Sequence, residues 1–528
     1  MQLGKNQILP IIIVVLVVVV SVTFRPLLVI DETRYFGVAW EMFQNKNFLV
    51  PHLNGLPYDH KPPLLFWLIN LDWFLFGVNE TSARFIPLLF AIGSMLLVWR
   101  IYGLLWRDDR FGANAILWVM AGMVIFSFYS TLFMFDIMLG FWVLLAIYGG
   151  LKALENPTLK NFAIIAFAIG FGILAKSPVV VAHLLPVYLL AHTFAKPTKR
   201  FYIGGLIAVL VGIGIALFWG IPAALAGGEE YAKGIFWGQY AGRAVDSFAH
   251  KRPFWWYLYW IPLILLPWIF TQPFWKGVKR LKEEKFFDNG MRFLAVWLLG
   301  TLLIFSLISG KQLHYIVPEF GGYVMFVTRL ISKAKLRSFK ARIIGGVFIL
   351  FGILILVAPL FIKGFLLAYL DKIAFWISGV LLILFGFYFF VKKFSDKLQF
   401  VSHLAWGSLV VIFVVHYVLH IYLDTQNLTK ISQSIAKLQK SGKVVAHYRK
   451  YHDQYHFLGR LKEPLKILKN SKEFDEYIKS HPNDGVILYL KRDIPYNESV
   501  VIDRGKLRTQ NILLIRAKDY NRLFQQNR

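Results

Sequence analysis

The chain contains 528 residues, of which 57% are hydrophobic, 17% aromatic and 17% charged. A soluble protein carries roughly half apolar and a quarter charged residues, so this composition excludes a soluble multidomain enzyme. The apolar residues form continuous blocks, which excludes a disordered chain and a coiled coil. The chain has no Cys, which excludes disulfides, thiolate metal sites and cysteine nucleophiles.

Apolar segments long enough to span a bilayer recur from the N-terminus onward. A spanning helix needs about 20 mostly apolar residues. No small-residue cleavage site follows the first segment, so we expect it to remain as an anchor. The sequence predicts a polytopic α-helical membrane protein with about thirteen spans. They lie at residues 8–30, 84–106, 112–132, 137–153, 161–175, 178–195, 201–223, 254–272, 292–309, 313–332, 343–366, 370–391 and 403–423.

The basic residues between these segments fall on alternate loops. Short loops rich in Lys and Arg stay in the cytoplasm, so the N-terminus is predicted to lie inside. Much of the net charge of +28 then belongs to cytoplasmic loops, and no nucleic-acid partner is expected. The opposite side holds the segments that we call the outer loops: 31–83, the turn near Asp136, the turn around Lys176, 224–253 and the turn around Lys311.

An odd number of spans also places the tail on the outer side. The tail mixes helical stretches with strand-like runs, which predicts a small α/β domain. The helical stretches are Lys430 to Gln439 and Lys472 to Ser480, and the strand-like runs are Val444 to His447, Gly485 to Leu490 and Asn511 to Ile515. We therefore expect a membrane domain at 1–425, with large outer loops 31–83 and 224–253, and a soluble domain at 426–528.

The first outer loop opens with Asp31-Glu32-Thr33-Arg34-Tyr35, at the start of a helix-like stretch. One interpretation makes Asp31 the N-cap of that helix. The other gives the two carboxylates and Arg34 chemical roles, because residues three apart share a helix face. A general base and a phosphate-binding group could then work together at the membrane surface. The sequence alone leaves both interpretations open.

Lys61 precedes Pro62 and Pro63, which fit the first turn of the next helix. A helix N-terminus favours anions, and an adjacent ammonium group strengthens that preference, so a phosphate site is predicted here. The alternative is a Lys side chain that reaches lipid headgroups from an interfacial helix.

Other outer loops add charged side chains next to apolar runs. Asp136 lies between two such runs, where an ionisable group indicates function unless it is a surface turn residue. Lys176 and Lys311 lie in turns where single Lys residues are ordinary. Arg252 precedes the aromatic residues 254–257, which indicates either an aromatic belt or a bidentate phosphate ligand.

A divalent metal ion is a further candidate in the outer loops. Carboxylate and imidazole groups bind Zn²⁺, and Asp59 with His60 could be joined by His250 or His314. Their spacing matches no diagnostic metal motif. A metal requirement is therefore left open.

Together these segments resemble the protein O-mannosyltransferase superfamily, and most closely its bacterial aminoarabinose lipid A transferases. The resemblance covers roughly residues 1–425 and implies a GT-C fold in the bacterial inner membrane, with the active site and tail facing the periplasm. Ser177 stands where the family has Gly, and His60 where the aminoarabinose branch often has Glu. The matching motifs are Asp31-Glu32-x-Arg34-Tyr35, Pro51-His52-x-Asn54-Gly55-x-Pro57-Tyr58-x-x-Lys61-Pro62-Pro63, Asp136, Lys176-Ser177-Pro178 and Lys311-x-x-x-Tyr315-x-x-Pro318.

The resemblance implies transfer of a sugar from undecaprenyl phosphate, with inversion. The expected sugar is 4-amino-4-deoxy-L-arabinose or another amino sugar, and the expected acceptor is a lipid A phosphate among the membrane lipids. Such a transfer needs cations at the leaving phosphate and an aligned acceptor oxygen. We expect Asp31, Glu32 and Asp136 to be catalytic. The donor phosphate would contact Arg34, Tyr58, Lys61, Arg252, Lys311 and Tyr315, with Lys176, His250 and His314 as additional candidates.

Two other functions are weighed against this one. A related transferase could use a hydroxyl of a protein or glycan as the acceptor, in which case Asp31 would be a general base. A polyprenyl phosphate transporter is disfavoured, because transport paths place ionisable groups inside spans and most spans here have none.

Overall fold

The computed structural model describes residues 4–238, 251–361, 373–491 and 494–525. The chain divides into two compact units. The helical unit comprises Met1–Thr23, Arg84–Pro222 and Lys233–Val418. The sheet unit comprises Phe24–Ala83, Ala223–Ala232 and Leu419–Arg528. The tail thus forms a unit together with the first outer loop, whereas the sequence placed that loop with the membrane domain.

Long apolar helices make up the helical unit. Within the described residues, seven helices are long and apolar enough to cross a membrane. The protein is therefore a multi-pass membrane protein, as its composition predicts. Six of these lie at Lys5–Phe24, Ala83–Leu105, Phe135–Glu155, Leu159–Lys176, Lys199–Gly227 and Asn289–Leu307, and the seventh begins with the helix Lys397–Asp424.

Shorter helices fill several of the other predicted spans. They lie at Arg110–Gly122, Val124–Tyr129, Val179–Leu189, Phe320–Lys333, Arg342–Phe361 and Ile373–Val391. Residues 313–332, predicted as one span, divide into a 3₁₀ helix at Leu313–Glu319 and the helix that follows it. Pro318 lies in the 3₁₀ part, where a missing backbone N–H limits α-helical bonding.

The predicted single span at 254–272 is wrong. The segment forms four short pieces instead of one helix: Phe254–Tyr259, Ile261–Ile264, Trp268–Phe270 and Gln272–Val278. Proline residues at 253, 262, 267 and 273 recur along it, and each removes a backbone donor and obstructs the preceding turn. High hydropathy alone therefore misled the prediction.

A buried ion-pair network fixes one end of the helical unit. Arg329 donates to Asp109 at 2.9 Å and to Asp288 at 2.7 Å, and its guanidinium lies 4.9 Å from the ring centre of Trp106. Asp288 also caps the helix Asn289–Leu307 by accepting from the amide of Met291. Lys311 follows the opposite end of that helix, so this network lies away from the predicted site.

The sheet unit contains a five-stranded mixed sheet, which confirms the predicted α/β tail. The strand order is Lys466–Leu468, Val445–Tyr448, Gly485–Lys491, Gln510–Arg516 and Val501–Leu507. The first three strands are parallel and the last two are antiparallel to their neighbours. The strands at the two edges were not predicted.

Alternating side chains of this sheet form a core on each face. Ile487 packs with the helix Thr429–Lys440 on one face, while Val486 and Leu488 pack with the helix Ser471–Ser480 on the other. This is the two-residue period expected of a strand whose faces are both buried. The helices cover both faces and make a small three-layer fold.

The first outer loop is built from two helices and a hairpin. The helices span Glu32–Asn45 and Leu64–Phe76, and the hairpin pairs His52–Leu53 with Leu56–Pro57. Asn54 and Gly55 form its turn with φ of 55° and 78°, a conformation that Asn-Gly pairs adopt readily. The Asn54 side chain exchanges two hydrogen bonds with the backbone of Leu465, at 3.0 and 2.8 Å, and so joins the loop to the tail.

Candidate functional site

Asp136 and Lys176 form a buried ion pair in the helical unit. Asp136 lies in the first turn of the helix Phe135–Glu155, and Lys176 is the last residue of the antiparallel helix Leu159–Lys176. Their side chains are 3% and 10% exposed. The Lys176 ammonium also lies 5.3 Å from the ring centre of Tyr315, within cation–π range. Three predicted residues from separate segments are thus neighbours.

The turn after Lys176 has an unusual backbone. Ser177 has φ 138° and ψ 176°, a region that is almost restricted to glycine. The related motif has Gly at this position, so the backbone keeps the conformation although the side chain differs. This strained turn ends the helix directly beside the Asp136–Lys176 pair.

Lys311 and Arg252 lie on two adjoining segments of the helical unit. The amide of Arg252 donates to Ser309 at 3.2 Å, and Lys251 pairs with Gly310 in an antiparallel bridge. The ammonium of Lys311 donates to the carbonyls of Arg252 at 3.1 Å and Ile308 at 2.5 Å. Burial lowers the pKa of Lys311, whose residue is 3% exposed. Arg252 is exposed, so its guanidinium is open to solvent or a substrate.

The 3₁₀ helix Leu313–Glu319 carries two further predicted residues of this unit. Tyr315 and His314 are half-buried, and their rings meet edge to face with centres 4.8 Å apart. His250, also predicted, lies outside the described residues. The helical unit thus gathers Asp136, Lys176 and Tyr315 in one group and Arg252 with Lys311 in another, joined by the short segment 311–315.

The acidic pair at the start of the first outer loop separates into two environments. Glu32 is fully buried and accepts two hydrogen bonds of 2.8 Å from Arg25 and one of 2.9 Å from the amide of Leu28. This bidentate pair holds the entry to the helix, so the geometry favours a structural role over the predicted catalytic one. The Asp31 side chain is 57% exposed and lies 3.4 Å from Arg34.

The capping interpretation of Asp31 is wrong. Asp31 occupies the N-cap position, but its backbone is helical and its side chain accepts no cap hydrogen bond. The neighbouring Tyr58, Tyr35 and Asp31 raise the pKa of Arg34 although its partial burial acts in the opposite direction. Asp31 and Arg34 therefore form an ion pair in which the carboxylate is exposed and the Arg34 side chain is mostly buried.

Tyr58, His60 and Lys61 precede the helix Leu64–Phe76 as the sequence predicts. The Tyr58 ring is buried and lies 5.3 Å from that of His60 and 6.2 Å from that of Phe66. Lys61 is half-buried at the start of the helix. His60 is exposed and its ring nitrogen lies 4.0 Å from Asp59, which is too long for a shared hydrogen bond.

A basic cavity of about 380 Å³ lies in the sheet unit. Burial and the nearby cations Lys450 and Arg34 lower the pKa of His452, one of the lining residues. Among the described lining residues, three are cations and none is a carboxylate, so the cavity favours anions. The lining residues are Ile30, His447, Tyr448, Arg449, Lys450, His452, Gln454, Tyr489, Leu507, Arg508 and Gln510.

Two buried clusters were missed by the sequence analysis. His183 lies 2.7 Å from Glu319 in the helical unit, with side chains 1% and 2% exposed. Both residues interrupt apolar runs, and that signal could have found them. Glu41, Asp453 and His456 meet in the sheet unit. No spacing signal could have found this second cluster, because about 400 residues separate Glu41 from its partners.

Comparison with known proteins confirms the resemblance read from the motifs. A family model described as dolichyl-phosphate-mannose-protein mannosyltransferase matches residues 60–219. Undecaprenyl phosphate-alpha-4-amino-4-deoxy-L-arabinose arabinosyl transferase 2 of Proteus mirabilis is 30% identical, over 63% of this chain and 61% of the relative. The corresponding transferase of Serratia proteamaculans is also 30% identical, over 62% and 60%. The chain therefore matches only about three fifths of the length of these relatives.

The same architecture occurs among solved structures. The crystal structure of ArnT from Cupriavidus metallidurans bound to undecaprenyl phosphate matches with a TM-score of 0.75 and 16% identity. The match covers 96% of this chain and 97% of that protein. The chain has the GT-C fold. A second ArnT structure in the apo state matches with a TM-score of 0.73 over the same shares of both chains. The similarity extends through the tail, where no motif could be matched.

Proposed function

We propose that this protein is a glycosyltransferase that transfers a sugar from undecaprenyl phosphate to a lipid A phosphate, with inversion. The sugar is 4-amino-4-deoxy-L-arabinose or another amino sugar. The protein lies in the bacterial inner membrane and works on its periplasmic face. The GT-C fold and the names of the similar transferases support this proposal. The observation that carries it is the placement of Lys176 beside Asp136 and of Lys311 beside Arg252 within the helical unit.

The cations account for the donor side of the reaction. Lys311 and Arg252, on adjoining segments, would bind the carrier phosphate and stabilise the charge that it gains as the sugar leaves. Lys176 pairs with the Asp136 carboxylate and lies beside the Tyr315 ring, so the carboxylate is held in place to orient a hydroxyl or amine of the sugar. In the sheet unit, Lys61 and Arg34 stay predicted phosphate ligands.

The acceptor side follows from the chemistry of a phosphate. A phosphate oxygen is already an anionic nucleophile and needs little base catalysis. The exposed Asp31 would then orient the acceptor rather than remove a proton. The basic cavity of the sheet unit offers a place for a second phosphate group of lipid A, with Arg449 and Lys450 as exposed cations.

The basic cavity can be tested separately from catalysis. Replacing both Arg449 and Lys450 by Ala should raise the KM for lipid A by about 30-fold, because each charged contact contributes about 1 kcal/mol. The kcat should change little. The matched control is Lys469→Ala, an exposed cation of the same unit outside the cavity lining. An unchanged KM for lipid A would remove the cavity from the acceptor site.

A hydroxyl acceptor on a protein or glycan remains the second candidate, because the matching family model describes protein mannosyltransferases. Asp31 would be the general base in that reaction. The discriminating experiment offers purified protein a panel of undecaprenyl phosphate sugars with either lipid A or a hydroxyl acceptor, and reads products by mass. Sugar-modified lipid A supports the first function, and transfer only to the hydroxyl acceptor supports the second.

A further inference from the structure

Glu41, Asp453 and His456 form a cluster of ionisable side chains inside the sheet unit. Glu41 lies on the helix Glu32–Asn45 of the first outer loop, and the other two lie on the tail, with His456 opening the short helix His456–Gly459. They are 6%, 0% and 2% exposed. One ligand atom from each residue lies within 4.8 Å of the others.

Only one of the two carboxylate oxygens of Asp453 has an ion-pair partner in the part of the chain that the structure describes. The other, Oδ2, is buried and accepts no hydrogen bond from the described residues. Its closest polar neighbour is Nδ1 of His456, which lies 2.7 Å from Oδ1 and also 2.7 Å from the Tyr451 hydroxyl. Burying a polar atom without a hydrogen-bond partner costs free energy, so the unsatisfied Oδ2 points to an additional ligand.

Glu41 is held so that its carboxylate faces the same point. Its two oxygens accept from the amides of Asn54 and Gly55, at 2.5 and 2.9 Å. Two carboxylates and one imidazole thus share a small dry volume, in which a divalent cation would balance the charge.

Gly37 leaves the room that this arrangement needs. It lies one helical turn before Glu41, on the same face of the helix. A Cβ atom at Gly37 would lie 1.9 Å from Oδ2 of Asp453, so any side chain there would displace the carboxylate. The absence of a side chain at Gly37 lets Asp453 reach the cluster.

We propose that Glu41, Asp453 and His456 bind one divalent transition metal ion of the Zn²⁺ type. Two carboxylate oxygens and an imidazole nitrogen form a donor set that suits Zn²⁺, whereas Mg²⁺ and Ca²⁺ prefer six or more oxygen ligands. The ion would tie the first outer loop to the tail. This site differs from the predicted pair Asp59 and His60, which is exposed and whose nearest atoms are 4.0 Å apart.

The direct test is the metal content of the purified full-length protein. After dialysis against Zn²⁺ and gel filtration, the wild type should retain about one Zn²⁺ per chain by mass spectrometry of the elements. Asp453→Asn and Gly37→Ala should both lose it, the second without removing a ligand. The controls His60→Ala and His452→Ala should retain it. Equal metal content in the wild type and Asp453→Asn would overturn the proposal.

The wild type alone provides a second test if the variants fail to fold. A chelator should lower its melting temperature, and Zn²⁺ should restore it while Mg²⁺ does not. Co²⁺ bound to the chelated protein should show the visible absorption of a four-coordinate site. A melting temperature that neither the chelator nor Zn²⁺ changes would contradict the site. None of these measurements uses transfer activity, so their results do not depend on the proposed reaction.

Discussion

Asp136 of the helical unit and Asp453 of the sheet unit are both deeply buried, and they differ in how their charge is balanced. Asp136 of the helical unit faces the ammonium of Lys176, so one carboxylate meets one cation. Asp453 of the sheet unit shares its surroundings with Glu41 and a single imidazole. In the helical unit the chain itself supplies the balancing cation, so the Asp136–Lys176 pair can take part in the reaction. In the sheet unit the two carboxylates need a further cation or proton, which suits a bound metal ion with a structural role.

The largest expected effect is on the donor side of the helical unit. Lys311→Ala should lower the transfer rate by about 100-fold or more, because the variant loses a positioned positive charge that stabilises the leaving phosphate. Lys251→Ala, which changes a neighbouring cation on the exposed side, is the matched control. Both rates are measured with purified protein, a sugar donor and lipid A. A Lys311→Ala protein that keeps most of its rate would remove Lys311 from the site.

Asp136→Asn should destabilise the protein by about 3–5 kcal/mol, because it leaves the buried ammonium of Lys176 without its partner. Asp31→Asn should change stability by no more than about 0.5 kcal/mol, since that side chain is exposed. Denaturant unfolding in detergent compares the two variants. Equal losses would mean that the Asp136–Lys176 pair contributes no more than a surface contact.

The sheet unit should be sensitive to acid through His447. Burial lowers the pKa of His447 to about 4, so the folded protein keeps this imidazole neutral. Between pH 6.5 and 4 the unfolded chain therefore binds a proton that the folded chain does not. Stability contributed by the neutral group is present above about pH 6.5 and falls by about 3 kcal/mol as the pH approaches 4.

His447→Gln provides the control for this pH dependence. The variant keeps a polar side chain that can face Arg449 and Tyr489 but cannot titrate in this range. Its melting temperature should fall less steeply than that of the wild type between pH 6.5 and 4.5. If the melting temperatures of the two proteins fall equally with pH, His447 is not the cause of the acid sensitivity.

The smallest expected effect concerns the turn beside Asp136. Ser177→Gly should stabilise the protein by about 1 kcal/mol, because glycine adopts the φ of 138° without steric cost. Ser177→Ala, which keeps the strain, should not. Thermal unfolding of both variants in detergent provides the comparison. Stabilisation by Ala as great as by Gly would mean that the backbone strain is not the cause.

The sequence predicts those features that depend on local pattern. The apolar runs became helices, the alternating runs of the tail became strands, and Lys176 lies beside Asp136 as their shared topology allowed. The prediction at residues 254–272 was wrong because high hydropathy outweighed the prolines at 262 and 267, inside the segment, and at 253 and 273, next to it. The motif predicts Glu32 to be catalytic, and the partner that argues for a structural role, Arg25, lies seven residues earlier and outside that motif.

The cluster around Glu41 shows what local pattern could not reveal. Its three members come from distant parts of the chain, and only the packing of the first outer loop against the tail brings them together. Asn54 and Gly55 were recognised as parts of a motif, but their role in holding Glu41 and Leu465 needed the folded chain. Contacts of such separation carry no periodic signal.

The most direct test of the proposed function is transfer by the purified protein. It is incubated with undecaprenyl phosphate-linked 4-amino-4-deoxy-L-arabinose and lipid A, and the lipid product is weighed by mass spectrometry. We expect lipid A that is heavier by one amino sugar on a phosphate, and loss of this product with Lys311→Ala but not with Lys251→Ala. Unmodified lipid A with every undecaprenyl phosphate sugar in the panel, from a protein that is folded, would contradict the proposal.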